Sequence, residues 1–201
     1  MKLILRSVSL FFGFLAPFAG SAIADPIAPA PSIGYFEAIN QEAPPVVGEQ
    51  YYTRHCFMHE KSVSMATNYW RGTLVPINTR VVLVALDDDK IKLRVVDSGQ
   101  VIKIENVLKF TKRDTATIAK NLLTRTPVPI ERFDADTAAA IKAGKLKLGM
   151  TKEQVVMTRG YPPGHKTASL DLDSWKYWPS RLVMETVVFK NGVLIVAHGA
   201  E

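Results

Sequence analysis

Three consecutive segments between Arg80 and Glu105 alternate with a period of two, and polar turn residues separate them. Val81, Leu83 and Ala85 alternate with Val82, Val84 and Leu86, giving a strand apolar on both faces; Asp87-Asp88-Asp89 follows as a turn. Ile91, Leu93 and Val95 then alternate with Lys92 and Arg94, the pattern of a half-buried strand. Asp97-Ser98-Gly99 turns the chain again, and Ile102 and Ile104 alternate with Lys103 and Glu105. Strands joined so tightly have to run antiparallel, because a parallel return needs a crossover of a dozen or more residues. The pattern predicts a meander, which excludes an all-helical chain.

Upstream, Ser62–Tyr69 and Thr73–Val75 read as further strands, punctuated by Gly72 and Pro76. Residues 49–112 therefore form a small antiparallel strand-rich unit, whose strand count is similar to an SH3-like barrel. Asp114 is placed to cap a helix over Thr115–Thr124, which Thr126-Pro127-Val128-Pro129 stops; residues 113–133 read as a linking helix. Asp134 opens a second helix over Ala135–Ala143, ended by Gly144.

The last third carries a helix start with a mechanism. In Thr151-Lys152-Glu153-Gln154 the threonine oxygen accepts from the backbone at Gln154, whose side chain reaches back, and Met150 and Val155 flank this capping box. The helix runs to about Arg159, and Gly160, Pro162, Pro163 and Gly164 break it. Strands follow over Ser174–Trp178, Leu182–Lys190 and Val193–Ala197, the last two joined by an Asn191-Gly192 hairpin turn.

Ile141, Gly149-Met150-Thr151-x-x-Gln154-Val155, Gly160-x-Pro162, Trp175-x-Tyr177 and Phe189-x-Asn191-Gly192-Val193 occur in that order. Over residues 134–197 this set resembles the SmpA/OmlA domain, a family that includes the small subunit of the outer-membrane β-barrel assembly machinery. The resemblance implies two helices on a three-stranded antiparallel sheet, an arrangement also similar to the β-lactamase-inhibitor-protein fold. It further implies a link to outer-membrane protein assembly or envelope integrity. This chain departs from the assembly subunit in lacking a lipid-attachment cysteine and in carrying the extra strand-rich unit. The expected fold class is thus α+β, a strand-rich SH3-like unit followed by helices and an ααβββ unit over 134–201.

The first residues bear on location. Lys2 and Arg6 precede an apolar stretch from Leu10 to Phe18, and Ala22-Ile23-Ala24 offers small residues where a signal peptidase reads them. Residues 1–24 are expected to be a signal peptide cleaved after Ala24, which places the protein in the periplasm. The apolar run is short for a bilayer span and Pro17 interrupts it, so no transmembrane segment is expected after cleavage. Residues 25–48, rich in Ala and Pro, read as an extended, poorly ordered spacer, in which Tyr35, Phe36 and Ile39 are still able to dock on the body.

The formal charge is +6, and loss of Lys2 and Arg6 with the leader lowers it to about +4. So slight a bias reads first as a solvated charge excess with no partner; in an exported chain the partner it would suggest is an anionic envelope surface before nucleic acid. Cys56 is the only cysteine, so no internal disulfide forms, and a free thiol in an oxidising compartment is expected to be at least partly buried. His55, Cys56 and His59 resemble a metal cluster, but zinc wants three or four ligands and a strand sets the two histidines too far apart. A nucleophile from Cys56 with His165 or His198 lacks a visible orienting group or oxyanion site. Asp171 with Asp173, and the run Asp87–Asp89, read as solvated carboxylates.

No catalytic residue, cofactor or metal is therefore expected. The chain reads as a non-catalytic envelope binding or scaffold protein with an envelope protein partner; the alternatives are a periplasmic hydrolase and a cell-wall ligand-binding module. The candidate binding residues are Tyr161, His165, Trp175, Trp178 and Arg181, where rigid aromatics sit beside a Pro-Pro-Gly loop and a planar donor. Trp175 and Trp178 fall on opposite faces of their strand, so one is expected inside and the other covered by the neighbouring unit or by a partner.

Overall fold

The computed structural model describes residues 32–197. The expected signal peptide with its expected cleavage site after Ala24, the start of the expected spacer, and His198 lie outside the described residues. The fold is α+β, with antiparallel strand-rich sheets.

The chain enters through α1 (Ser32–Gln41), then β1 (Gln50–Thr53), β2 (Phe57–His59), β3 (Val63–Met65) and β4 (Thr73–Val75). The meander follows as β5 (Arg80–Leu86), β6 (Lys90–Val95) and β7 (Val101–Glu105). A single turn α2 (Leu108–Thr111), α3 (Thr115–Leu122) and β8 (Leu123–Thr124) lead to α4 (Ala135–Lys142) and α5 (Lys152–Arg159). The chain closes with β9 (Ser174–Ser180), β10 (Val183–Lys190) and β11 (Val193–Val196).

The six-stranded sheet has the order β3-β7-β6-β5-β1-β8. Its meander registers Leu83 opposite Leu93 and Leu93 opposite Ile102, which stacks the inward residues into one row. Val81, Leu83, Ile91 and Leu93 are fully buried there, with Leu122 and Ala119 of α3 over them. β3 joins β7 in parallel, the exception in an otherwise antiparallel sheet. β2 and β4 form a separate two-stranded ribbon.

α4, α5 and the sheet β11-β10-β9 enclose a second core containing Trp175, Tyr177, Val187, Phe189 and Leu194. The capping box at Thr151 is present in both directions. A bridge from Thr151 to Val193 and the bond from the Leu194 N–H to the Met150 carbonyl (2.8 Å) pin the start of α5 to β11. Asp114 and Asp134 both cap their helices, accepting from the N–H groups of Thr117 and Thr137. Cys56 and Ile77, both from the strand-rich half, are buried in this second core.

Two expectations are corrected. The spacer is not extended throughout: α1 docks with Ile39 buried, Tyr35 and Phe36 against the second core, and Lys120 donating to the Asn40 carbonyl at 2.7 Å. The helix expected to reach Thr124 ends at Leu122, because Leu123 and Thr124 pair with Thr53 and Tyr52 of β1.

Candidate functional site

The five candidate residues fall in three places. Trp175 is fully buried, its ring 4.6 Å from that of Phe189. It leaves the candidate set: the pleat that turns Tyr177 inward, where its hydroxyl donates to the Gly160 carbonyl at 2.8 Å, turns Trp175 inward as well. Trp178 takes the outer face. Its ring lies 4.5 Å from His165 and 5.6 Å from Phe110, so its cover comes from α2 of the strand-rich half. His165 is held there by two bonds to the Phe110 carbonyl, from its Nδ1–H (2.9 Å) and its backbone N–H (3.0 Å). Arg181 is exposed in the β9–β10 turn, and Tyr161 lies elsewhere, in the seam between the halves.

Basic residues surround the Phe110–His165–Trp178 cluster. Lys109 and Lys112 flank Phe110, Lys166 follows His165, Lys176 shares the outer face of β9 with Trp178, and Arg181 begins the turn. None has a carboxylate partner among the described residues. Lys109 lays its ammonium 4.8 Å from the Phe110 ring centre. The turn beyond Arg181 is apolar and outward: Leu182 is 94% exposed, Val183 50% and Met184 49%, and Leu108 on α2 is 61% exposed. A turn that points Leu-Val-Met at water gains nothing for the isolated fold, and such exposed apolar clusters mark contact sites.

The seam holds a cavity of about 50 Å³ that opens to solvent. Phe57, Met65, Ile104, Ile118 and Leu122 give it apolar walls, and His55, Ser64, Arg113, Asn121 and Tyr161 its polar ones. The His55 Nδ1–H donates to the Cys56 carbonyl at 2.9 Å, which fixes the tautomer and leaves Nε2 as an acceptor. Burial, aided by the Arg54 charge, lowers the His55 pKa to about 4, so the ring is neutral at pH 7. Burial likewise pushes the Tyr161 hydroxyl up to about 12, against the pull of Arg113. The Arg113 guanidinium sits 5.2 Å from the Tyr161 ring centre, and its Nη1 donates a long bond (3.4 Å) to the Pro162 carbonyl. Gly160 makes the close approach possible at the seam: it has φ +72°, and a Cβ there would meet Asn68 Nδ2 at 2.6 Å and His55 Nδ1 at 2.9 Å.

Cys56 is fully buried, as its lack of a partner led us to expect. Its thiol donates to the Ile141 carbonyl (3.1 Å) and accepts from the Ile77 N–H (3.2 Å), and burial pushes its pKa up to about 11. The neighbouring His55 turns its Nδ1 to the backbone and not to the sulfur. Lys152 reaches the Asp171 carbonyl (2.7 Å) and the Asp173 carboxylate (3.4 Å), which gives Asp173 a structural partner. Among the described residues, no group of three or more His, Cys, Asp or Glu is placed to hold a metal ion, and no helix is long and apolar enough to cross a membrane.

In comparisons with family models, curated proteins and solved structures, none matches this chain. Sequence reasoning missed Ser64, Arg113 and Asn121, which are far apart along the chain and meet only because β3 pairs in parallel with β7 beside α3. The lysines around Trp178 were visible individually, but only the docking of α2 on β9 gathers them.

Proposed function

We propose that this chain is a non-catalytic binding protein of the cell envelope that seats on an anionic envelope surface through the β9–β10 turn and its basic surround. The observation that carries the reading is the Leu182–Met184 apex, exposed and apolar, with Arg181 and four unpaired lysines behind it. An apolar tip inserts between lipid acyl chains while bases stay at headgroup level, each contributing about 1 kcal/mol near an anionic surface. A projecting turn suits a deformable bilayer better than a flat protein face. The leader over residues 1–24 supports export, and the buried, protonated Cys56 supports a role without thiol chemistry. Membership of an outer-membrane assembly complex rests on the SmpA/OmlA resemblance alone.

Co-sedimentation of the leaderless protein with phosphatidylethanolamine vesicles containing phosphatidylglycerol, against pure phosphatidylcholine, tests it. Binding should need phosphatidylglycerol and weaken as salt rises, because screening shortens the reach of the lysines. Leu182→Asp and Arg181→Glu should each reduce it with the fold unchanged. Equal binding to both vesicles, or wild-type binding by Leu182→Asp, overturns the reading.

A further inference from the structure

We infer that the seam cavity lined by Ser64, Arg113, Asn121 and Tyr161 binds a small aliphatic carboxylate. This stands apart from the surface reading, since the cavity and the Leu182 apex share no residue.

The chemistry of the walls selects the ligand. Arg113 brings a full positive charge, and no Asp or Glu lines the cavity. The Ser64 hydroxyl, the Asn121 amide and the Tyr161 hydroxyl make no hydrogen bond to any described residue, and all three residues line the cavity. Ser64 is only 6% exposed, and its unpaired hydroxyl keeps solvent access. By contrast the nearby Thr111 hydroxyl and Asn68 amide are spent on Asn106 and on the Arg159 carbonyl, so the available set is a selection and not a general looseness.

These four groups offer protons, and the neutral His55 Nε2 is the one free acceptor on the walls. Tyr161 stays protonated across the physiological range, and Arg113 is always a donor. A partner for four donors is a group made only of acceptors, with one negative charge to match one guanidinium: a carboxylate. The remaining walls, Phe57, Ile104, Ile118 and Leu122, are apolar and accept hydrocarbon. A volume of about 50 Å³ exceeds several-fold the roughly 10–15 Å³ that one water needs, so a few non-hydrogen atoms fit, with the solvent opening left for a slightly longer chain. Phosphate suits the site less well, since its second charge has no second cation on the walls and its oxygens would face the apolar side.

The test is titration of the ¹⁵N-labelled leaderless protein with sodium acetate, followed by amide and side-chain NMR, with sodium chloride and the neutral isostere acetamide as controls. Acetate should give saturable shifts at Asn121, Ser64 and Arg113, and the controls should not. Arg113→Gln should weaken acetate by roughly tenfold or more, the scale of one charged hydrogen bond. Ile118→Phe, which fills the cavity while keeping every donor, should abolish the shifts even if Arg113→Gln folds poorly, and should leave vesicle binding as in wild type. No saturable response to acetate, an equal response to acetamide, or unchanged acetate binding by Ile118→Phe overturns the inference.

Discussion

The imidazole of His165 lies 4.5 Å from the ring of Trp178, and through that contact the Pro162-Pro163-Gly164 loop, the edge strand β9 and the turn α2 become one packed unit. The outward tryptophan is thus covered from within the molecule. Trp178→Ala should destabilise the isolated protein by about 1–3 kcal/mol, below the roughly 3–5 kcal/mol expected for the fully buried Trp175→Ala. Urea unfolding of both variants checks the order; a Trp178→Ala protein as stable as wild type would show that the ring contacts contribute nothing.

His55 makes stability fall in mild acid. Its folded pKa, about 4, lies below the ordinary 6.5, so the unfolded chain binds a proton that the folded chain refuses. The contribution is complete above pH 6.5 and drains as pH falls towards 4, by up to about 1.4 kcal/mol per pH unit. Unfolding midpoints measured across that window should fall more steeply for wild type than for His55→Gln. Parallel curves would place the acid sensitivity elsewhere.

Cys56 works in the opposite direction. With its thiol raised to about 11, the folded state keeps the proton that the unfolded chain releases near 9, so its contribution is present below pH 9 and lost as pH rises through 11. At pH 8 the native protein should resist a thiol reagent and the denatured protein should react at once. Rapid stoichiometric labelling of the native protein would contradict both the burial and the bonds to Ile141 and Ile77.

The capping box offers a two-variant comparison. Thr151→Ala removes the oxygen that accepts from the Gln154 N–H (3.3 Å) and should cost about 0.5–2 kcal/mol. Thr151→Ser keeps that oxygen and should cost little. Equal losses in thermal or urea melts would mean that the threonine methyl, at a residue only 9% exposed, matters instead.

What was legible in the sequence was local. The meander, the caps at Asp114, Asp134 and Thr151, and the Asn191-Gly192 turn all follow from periodicity or from a side chain bonding its own backbone a few residues away. α1 was not legible, because Pro31 and Gly34 argue against a helix and its support is distant: Ile39 in the core and Lys120 on the Asn40 carbonyl. β8 was hidden for the same reason, since Leu123 and Thr124 continue a helical pattern until β1 takes their backbone groups. Alternation showed that Trp175 and Trp178 part company, but only the placement of α5 and α2 decides which is inside. The seam cavity left no local trace, since Tyr161 alone among its polar residues stood beside a conspicuous loop.

Cys56 and Ile77 plug into a core whose other fully buried residues come from the last seventy or so residues, about the size at which a lone core is marginal. A gene fragment encoding only residues 134–197 would therefore make a lock without its bolt, with an unfilled socket beside Ile141 and Met157 and two carbonyls lacking the partners that Cys56 supplies. Whatever ancestry the two halves have, they are no longer interchangeable cassettes: transplanting either into another chain would require carrying the other along, and heating should melt both in a single step.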